Sequence, residues 1–266
     1  EKLKRIDIRD LNAAGFLNNK PVRGRGNLTL LLDSNQKGFL PQQFEANNLF
    51  FAYAQNQLQA MGNAQSLRVK LNAPALYELY PGLQGRAYGV LNVQSQPRLK
   101  ATANIAVDNF AFKDVASVKS LRIQGELPTS EATPTLLVAK VDHLRSGNRE
   151  IENATINLGG TRKAHILKVE SNNRQSNFYV QLAGGFNQNN EWLGQLQKGH
   201  FKSRRIDLVQ NQSAAIIYST AQSELYIGQH CWQSLHSQVC LDQSARISQN
   251  KGNFSVVTKN LDLNDF

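Results

Sequence analysis

From Leu99 to Val107 every second residue is apolar: Leu99, Ala101, Ala103, Ile105 and Val107 interleave with Lys100, Thr102, Asn104 and Ala106. A strand points successive side chains to opposite faces, so this spacing predicts an extended segment with one dry and one wet face. The same period of two returns at Leu67, Val69 and Leu71 against Arg68 and Lys70, and at Leu91 and Val93. It returns again at Leu121 and Ile123, at Ile156 and Leu158, and at Phe178, Val180 and Leu182. His165–Val169 is a weaker case, because each of its faces is mixed. Buried parallel strands show continuous apolar runs, whereas clean alternation marks antiparallel sheets with one wetted face. Turn residues bound the runs, among them Gly24–Gly26, Pro81-Gly82, Gly85, Pro97, Gly147-Asn148, Gly159-Gly160 and Gly184-Gly185. One short helix is expected over Pro74–Tyr80, since proline suits a first helical turn and Pro81-Gly82 stops it.

The pattern runs on with no linker rich in Pro, Gly or Ser, which predicts one continuous all-β segment over 1–266. Period-two strands alone leave two architectures open: a closed sandwich or barrel, and an elongated antiparallel sheet. Gly89, Ala101, Ala103 and Ala139 in the apolar set are small and would leave space beside that face.

Charged residues are only 19%, while 27 Asn and 24 Gln fill much of the polar surface. The net charge of +10 favours acidic partners. The basic residues are scattered, however, with local clusters only at Lys20/Arg23/Arg25, Arg162–Lys168 and Lys198–Arg205. A nucleic-acid module would carry a basic stripe with interleaved aromatics, so no nucleic-acid partner is expected. The longest apolar runs, Leu49 to Ala54 and Ala214 to Tyr218, fall far short of the roughly 20 residues that span a bilayer. Any membrane anchor is expected on sequence beyond this chain.

No catalytic constellation is visible. The chain lacks a G-x-S-x-G elbow, a phosphate loop and an H-E-x-x-H helix, and no cofactor is expected. Acidic side chains read as isolated: Asp108 stands alone on its strand, and Glu150 and Glu152 read as solvated. The histidines read as surface or hydrogen-bonded structural groups. Cys231 and Cys240 lie nine positions apart and are the only thiols, a spacing that favours a local disulfide in an oxidising compartment. The alternative is a zinc site with His230 and His236, although the spacing matches no standard zinc pattern.

Two segments carry a family resemblance. One runs Leu71-Asn-Ala-Pro74-Ala-Leu76-Tyr-Glu-Leu-Tyr-Pro81-Gly82-Leu83-Gln-Gly85, continues through Gly89-Val-Leu-Asn-Val, and ends at Pro97-Arg-Leu-Lys-Ala. The other is Trp192-Leu-Gly194, followed by His230-Cys231-Trp232 and Cys240-Leu241. Together they resemble a recurring unit and a cysteine-paired hairpin of the TamB family, periplasmic subunits of the translocation and assembly module. That family belongs with the AsmA-like bridge-like lipid transfer proteins. A tryptophan often found after the Trp-x-Gly strand is replaced near Ile206-Asp207-Leu208.

The resemblance implies a β-taco: an elongated antiparallel sheet curved lengthwise into a U-shaped trough, apolar inside. It implies an internal fragment of a periplasmic protein of a Gram-negative bacterium, with the full-length chain anchored in the inner membrane. Phospholipids are the implied cargo, and an outer-membrane barrel partner (TamA-like) would be engaged through parts outside this fragment. The candidate groove residues are Leu67, Val69, Leu71, Leu91, Val93, Leu99, Ala101, Ala103, Ile105 and Val107, followed by Leu121, Ile123, Ile156, Leu158, Phe178, Val180 and Leu182. The competing expectation is a scaffold or chaperone for outer-membrane β-barrel assembly, in which a sheet edge pairs with an incoming strand.

Overall fold

The computed structural model describes residues 3–33, 43–63, 65–94, 100–127, 133–147, 149–174, 176–248 and 251–261. It is all-β, with its strands in one antiparallel sheet that does not close into a barrel. The chain divides into two compact units, Glu1–Thr129 with His143–Glu150, and Ser130–Asp142 with Ile151–Phe266.

Unit one is a meander. Strands β1 (Leu3–Leu17), β2 (Lys20–Asp33), β3 (Gln43–Tyr53) and β4 (Asn56–Asn63) pair in sequence order. The order continues through β5 (Ser66–Ala73), β6 (Leu83–Gln94), β7 (Lys100–Phe112) and β8 (Ala116–Leu127). Between β5 and β6 the expected helix is only a three-residue 3₁₀ turn, Leu76–Glu78. The reason is local. Ala75 precedes the turn at φ −137° with no side-chain cap, so the first helical N–H groups find no acceptor there. The turn is held instead from a neighbouring connection. Asn56 donates from Nδ2 to the Ala75 carbonyl at 3.0 Å, and Asn56 Oδ1 accepts the Ala75 N–H at 3.2 Å.

Unit two holds most of β9 (Thr135–Ser146) and β10 (Arg149–Gly160), which pair with each other. It continues through β11 (His165–Asn172), β12 (Ser176–Phe186) and β13 (Glu191–Ser203). Strand β13 is long enough to take two partners, and the sheet forks. Its C-terminal part pairs with β14 (Asp207–Gln210) and its N-terminal part with β15 (Ala214–Ser219). One branch adds β16 (Glu224–Ile227), β19 (Ala245–Ile247) and β20 (Gly252–Asn253) to β15. The other adds β17 (His230–Gln233), β18 (Gln238–Leu241) and β21 (Val256–Lys259) to β14. Cys231 and Cys240 stand opposite each other on β17 and β18 and are joined by a disulfide.

Candidate functional site: one apolar face in each unit

Register fixes which side chains share a face, because directly paired residues point the same way. In unit one, Leu58, Leu71, Gly89, Ile105 and Ile123 form one row across β4 to β8. Ala60, Val69, Leu91, Ala103 and Gly125 form the next, and Gly62, Leu67, Val93, Ala101 and Leu127 a third. A fourth runs Ala73, Ala87, Val107, Leu121. Eleven of the expected groove residues therefore stand on a single face: Leu67, Val69, Leu71, Leu91, Val93, Ala101, Ala103, Ile105, Val107, Leu121 and Ile123. Leu99 lies outside the described residues.

In unit two, Ile156, Val169, Val180 and Gly199 form one row, and Leu158, Leu167, Leu182 and Leu196 the next. Phe178 belongs to the adjoining row Ala154, Ser171, Phe178, Phe201, Leu208. The five expected groove residues here, Ile156, Leu158, Phe178, Val180 and Leu182, thus share a face within this unit.

Among the described residues of each unit, no second sheet of that unit packs on its apolar face. Among the described residues, the extensive contacts between elements join hydrogen-bonded neighbours, with the 3₁₀ turn on β6 as the exception. That excludes a sandwich within either unit, where two inner faces would interdigitate. No large side chain is fully buried among the described residues. The turn covers one margin of the unit-one face. Leu76 packs with Ala73 and Ala87, and Leu71, Leu83, Val107 and Phe110 close around them.

The opposite faces are largely polar. Asp108, isolated along its own strand, is not isolated in the sheet: Arg122 reaches it at 2.6 Å from β8 and Arg86 at 3.6 Å from β6. Lys100 pairs with Glu126 in the same way. Alternation within one strand cannot reveal a cross-strand partner, so the sequence reading missed this pairing. Glu152, expected to be solvated, accepts the Arg174 N–H and forms a 3.7 Å ion pair with its guanidinium. In unit two, His200 at 2.6 Å and Lys202 at 3.1 Å hold the Asp207 carboxyl below its ordinary value of 3.8, chiefly through those hydrogen bonds. The far face of unit two also carries apolar side chains, Leu136, Ile166 and Leu193, beside a cleft of about 870 Å³ lined in part by Gly159, Ala183 and Gly185.

Two tryptophans belong to the apolar face of unit two, a role that strand alternation did not assign to them. A Cβ on Gly184 or Gly194 would come within 2.7 or 2.5 Å of the Trp192 ring, and one on Gly199 within 2.2 Å of Trp232. Each indole therefore lies on a glycine whose missing side chain makes room for it. The readable signal was a glycine inside an otherwise regular strand, as at Gly184, Gly194 and Gly199.

The family model described as "TamB, N-terminal domain" matches residues 4–266. This chain belongs to the TamB N-terminal domain family. Among curated proteins it is 27% identical over 271 residues to the translocation and assembly module subunit TamB of Haemophilus influenzae (strain ATCC 51907 / DSM 11121 / KW20 / Rd). That alignment covers 97% of this chain and 20% of the TamB relative, so the chain spans about a fifth of the relative's length. No solved structure matches.

Proposed function

We propose that this chain is a non-enzymatic segment of a lipid conduit belonging to the translocation and assembly module. In this reading it works in the periplasm of a Gram-negative cell, as part of a longer protein anchored in the inner membrane. The whole of 1–266 would act as one trough segment that carries phospholipid acyl chains in an apolar groove between inner and outer membranes. An outer-membrane barrel partner of the TamA kind would be met by other parts of the protein. The observation that carries the reading is an apolar face in each unit that no second sheet of that unit covers among the described residues. An apolar surface of this extent in water calls for a cover, and acyl chains supply one at about 25 cal/mol per Å² without any specific polar contact. Headgroups then stay in water, which predicts low selectivity among lipids.

Mass spectrometry of gently purified protein tests this reading. Phospholipid bound in stoichiometric amounts supports the conduit. Lipid-free protein that instead binds outer-membrane strand peptides contradicts it in favour of the scaffold.

A further inference from the structure

Four strands carry the same four-residue phrase at a break in their alternation: Ile8-Arg-Asp10-Leu11 in β1, Ala46-Asn-Asn48-Leu49 in β3, Val107-Asp-Asn109-Phe110 in β7 and Val141-Asp-His143-Leu144 in β9. In each, two polar residues stand where strict alternation allows one. The third residue of every phrase has a left-handed backbone, with φ of 50° at Asp10, Asn48 and Asn109 and 49° at His143. Asn and Asp tolerate that conformation better than other residues with a side chain.

Against one neighbouring strand, the phrase adds one residue to β1, β3 and β7. From Ile8 to Leu11, β1 advances three positions while β2 moves two, from Leu28 to Gly26. From Ala46 to Leu49, β3 advances three while β4 moves two, from Gly62 to Ala60. From Asp108 to Ala111, β7 advances three while β6 moves two, from Arg86 to Gln84. These are β-bulges, which bend a strand and re-aim the side chains beyond them. A glycine at positive φ faces two of them closely. A Cβ on Gly26 would lie 2.5 Å from the Asn48 carbonyl oxygen, and one on Gly85 would lie 2.6 Å from that of Asn109.

We infer that Asp10, Asn48, Asn109 and His143 are positioning residues that keep the apolar side chains of a bent strand on one face. A one-residue slip moves every later side chain of a strand to the opposite face. A bulge at the bend supplies that slip and cancels the phase error already written into the sequence. Val107 and Phe110 differ in parity yet both pack on the Ala73–Leu76–Ala87 cluster. Ala46 and Leu49 differ in parity yet pair with Gly62 and Ala60, which share a face with Leu67 and Val69. The phrase therefore lets a sheet bend without breaking its apolar face. The use of that face by acyl chains rests on the function proposed above; the phase-keeping role does not.

The test compares the unaltered chain with Asn109→Gly, Asn109→Val and deletion of Asn109, by thermal unfolding and by phospholipid photocrosslinking from positions 105 and 112. Gly accepts the left-handed backbone, so Asn109→Gly keeps both the unfolding temperature and the crosslinks. Asn109→Val lowers the unfolding temperature by about 2–4 °C and keeps the crosslinks. Deletion removes the surplus residue together with the bulge, restores strict alternation from Val107 through Phe110 to Phe112, and keeps crosslinking at both 105 and 112. Equal unfolding temperatures for Asn109→Gly and Asn109→Val, or a deletion that loses crosslinking at 112 while keeping it at 105, would overturn the inference. If the unaltered chain crosslinks at neither position, the lipid reading fails, and the order of unfolding temperatures alone decides the phase-keeping role.

Discussion

The indole N–H of Trp192 donates to Nε2 of His165 at 2.8 Å, and Nδ1 of the same imidazole lies 3.0 Å from the Thr161 carbonyl oxygen. These two contacts assign the proton. Nε2 accepts, so Nδ1 carries the hydrogen and donates to Thr161. His165 thereby satisfies the one polar group that Trp192 brings to the apolar face. His165→Ala leaves that N–H without its partner, at a cost of about 1–3 kcal/mol. The expected outcome is a lower unfolding temperature with a changed Trp192 emission in a Trp232→Phe background. Unchanged emission and stability would contradict the assignment.

Gly199 supports a second prediction. The three atoms nearest a Cβ there all belong to the Trp232 ring, at 2.2 to 2.8 Å, so Gly199→Ala must move the indole. Overpacking of this kind costs about 1–3 kcal/mol. Trp232 fluorescence and thermal unfolding should shift together. A variant with both unchanged would show that the ring does not rest on Gly199.

Acid should weaken the fold in a defined direction. The Asp207 carboxyl is held below 3.8 by His200 and Lys202, so its stabilising effect is complete above that value and is lost as pH falls through the lowered one. The contribution is small because the partners are about half exposed. Asp207→Asn should flatten the decline of unfolding temperature on acidification below pH 3.8. An unchanged acid slope would contradict a lowered Asp207.

The Cys231–Cys240 bridge closes a loop with a sequence separation of nine, worth about 2.7 kcal/mol by loop entropy. Reduction should therefore lower the unfolding temperature of the native chain, and Cys231→Ser/Cys240→Ser should reproduce the loss without reductant. Intact-mass analysis after alkylation checks the bond itself, and two thiols free under oxidising conditions would contradict it.

Much of the architecture was legible because it depends on a period of two. Leu67 to Leu71, Ala101 to Val107 and Phe178 to Leu182 each show their shared face in one strand, and register then aligns them. Three features were not legible that way. The bulges at Asp10, Asn48 and Asn109 look like lapses in alternation until the opposite strand is seen to advance one residue less. The ion pairs of Asp108 come from residues 14 and 22 positions away, on neighbouring strands. The tryptophans cover glycines on other strands or at a two-residue offset, contacts set by side-chain reach rather than by pattern. The short helix expected over Pro74–Tyr80 shrank to Leu76–Glu78 because a proline start does not replace a capping side chain.

Trp192 and Trp232 are the only tryptophans, and both rings lie on the apolar face of unit two. Their emission therefore reports directly on what covers that face. The decisive measurement is quenching by phospholipid brominated in its acyl chains, compared with the same lipid unbrominated. If acyl chains lie on this face, brominated lipid quenches strongly, and Val180→Asp, placed in the row of Gly199, reduces the quenching while the chain stays folded. Equal emission with both lipids, at concentrations where lipid is bound, would contradict the conduit.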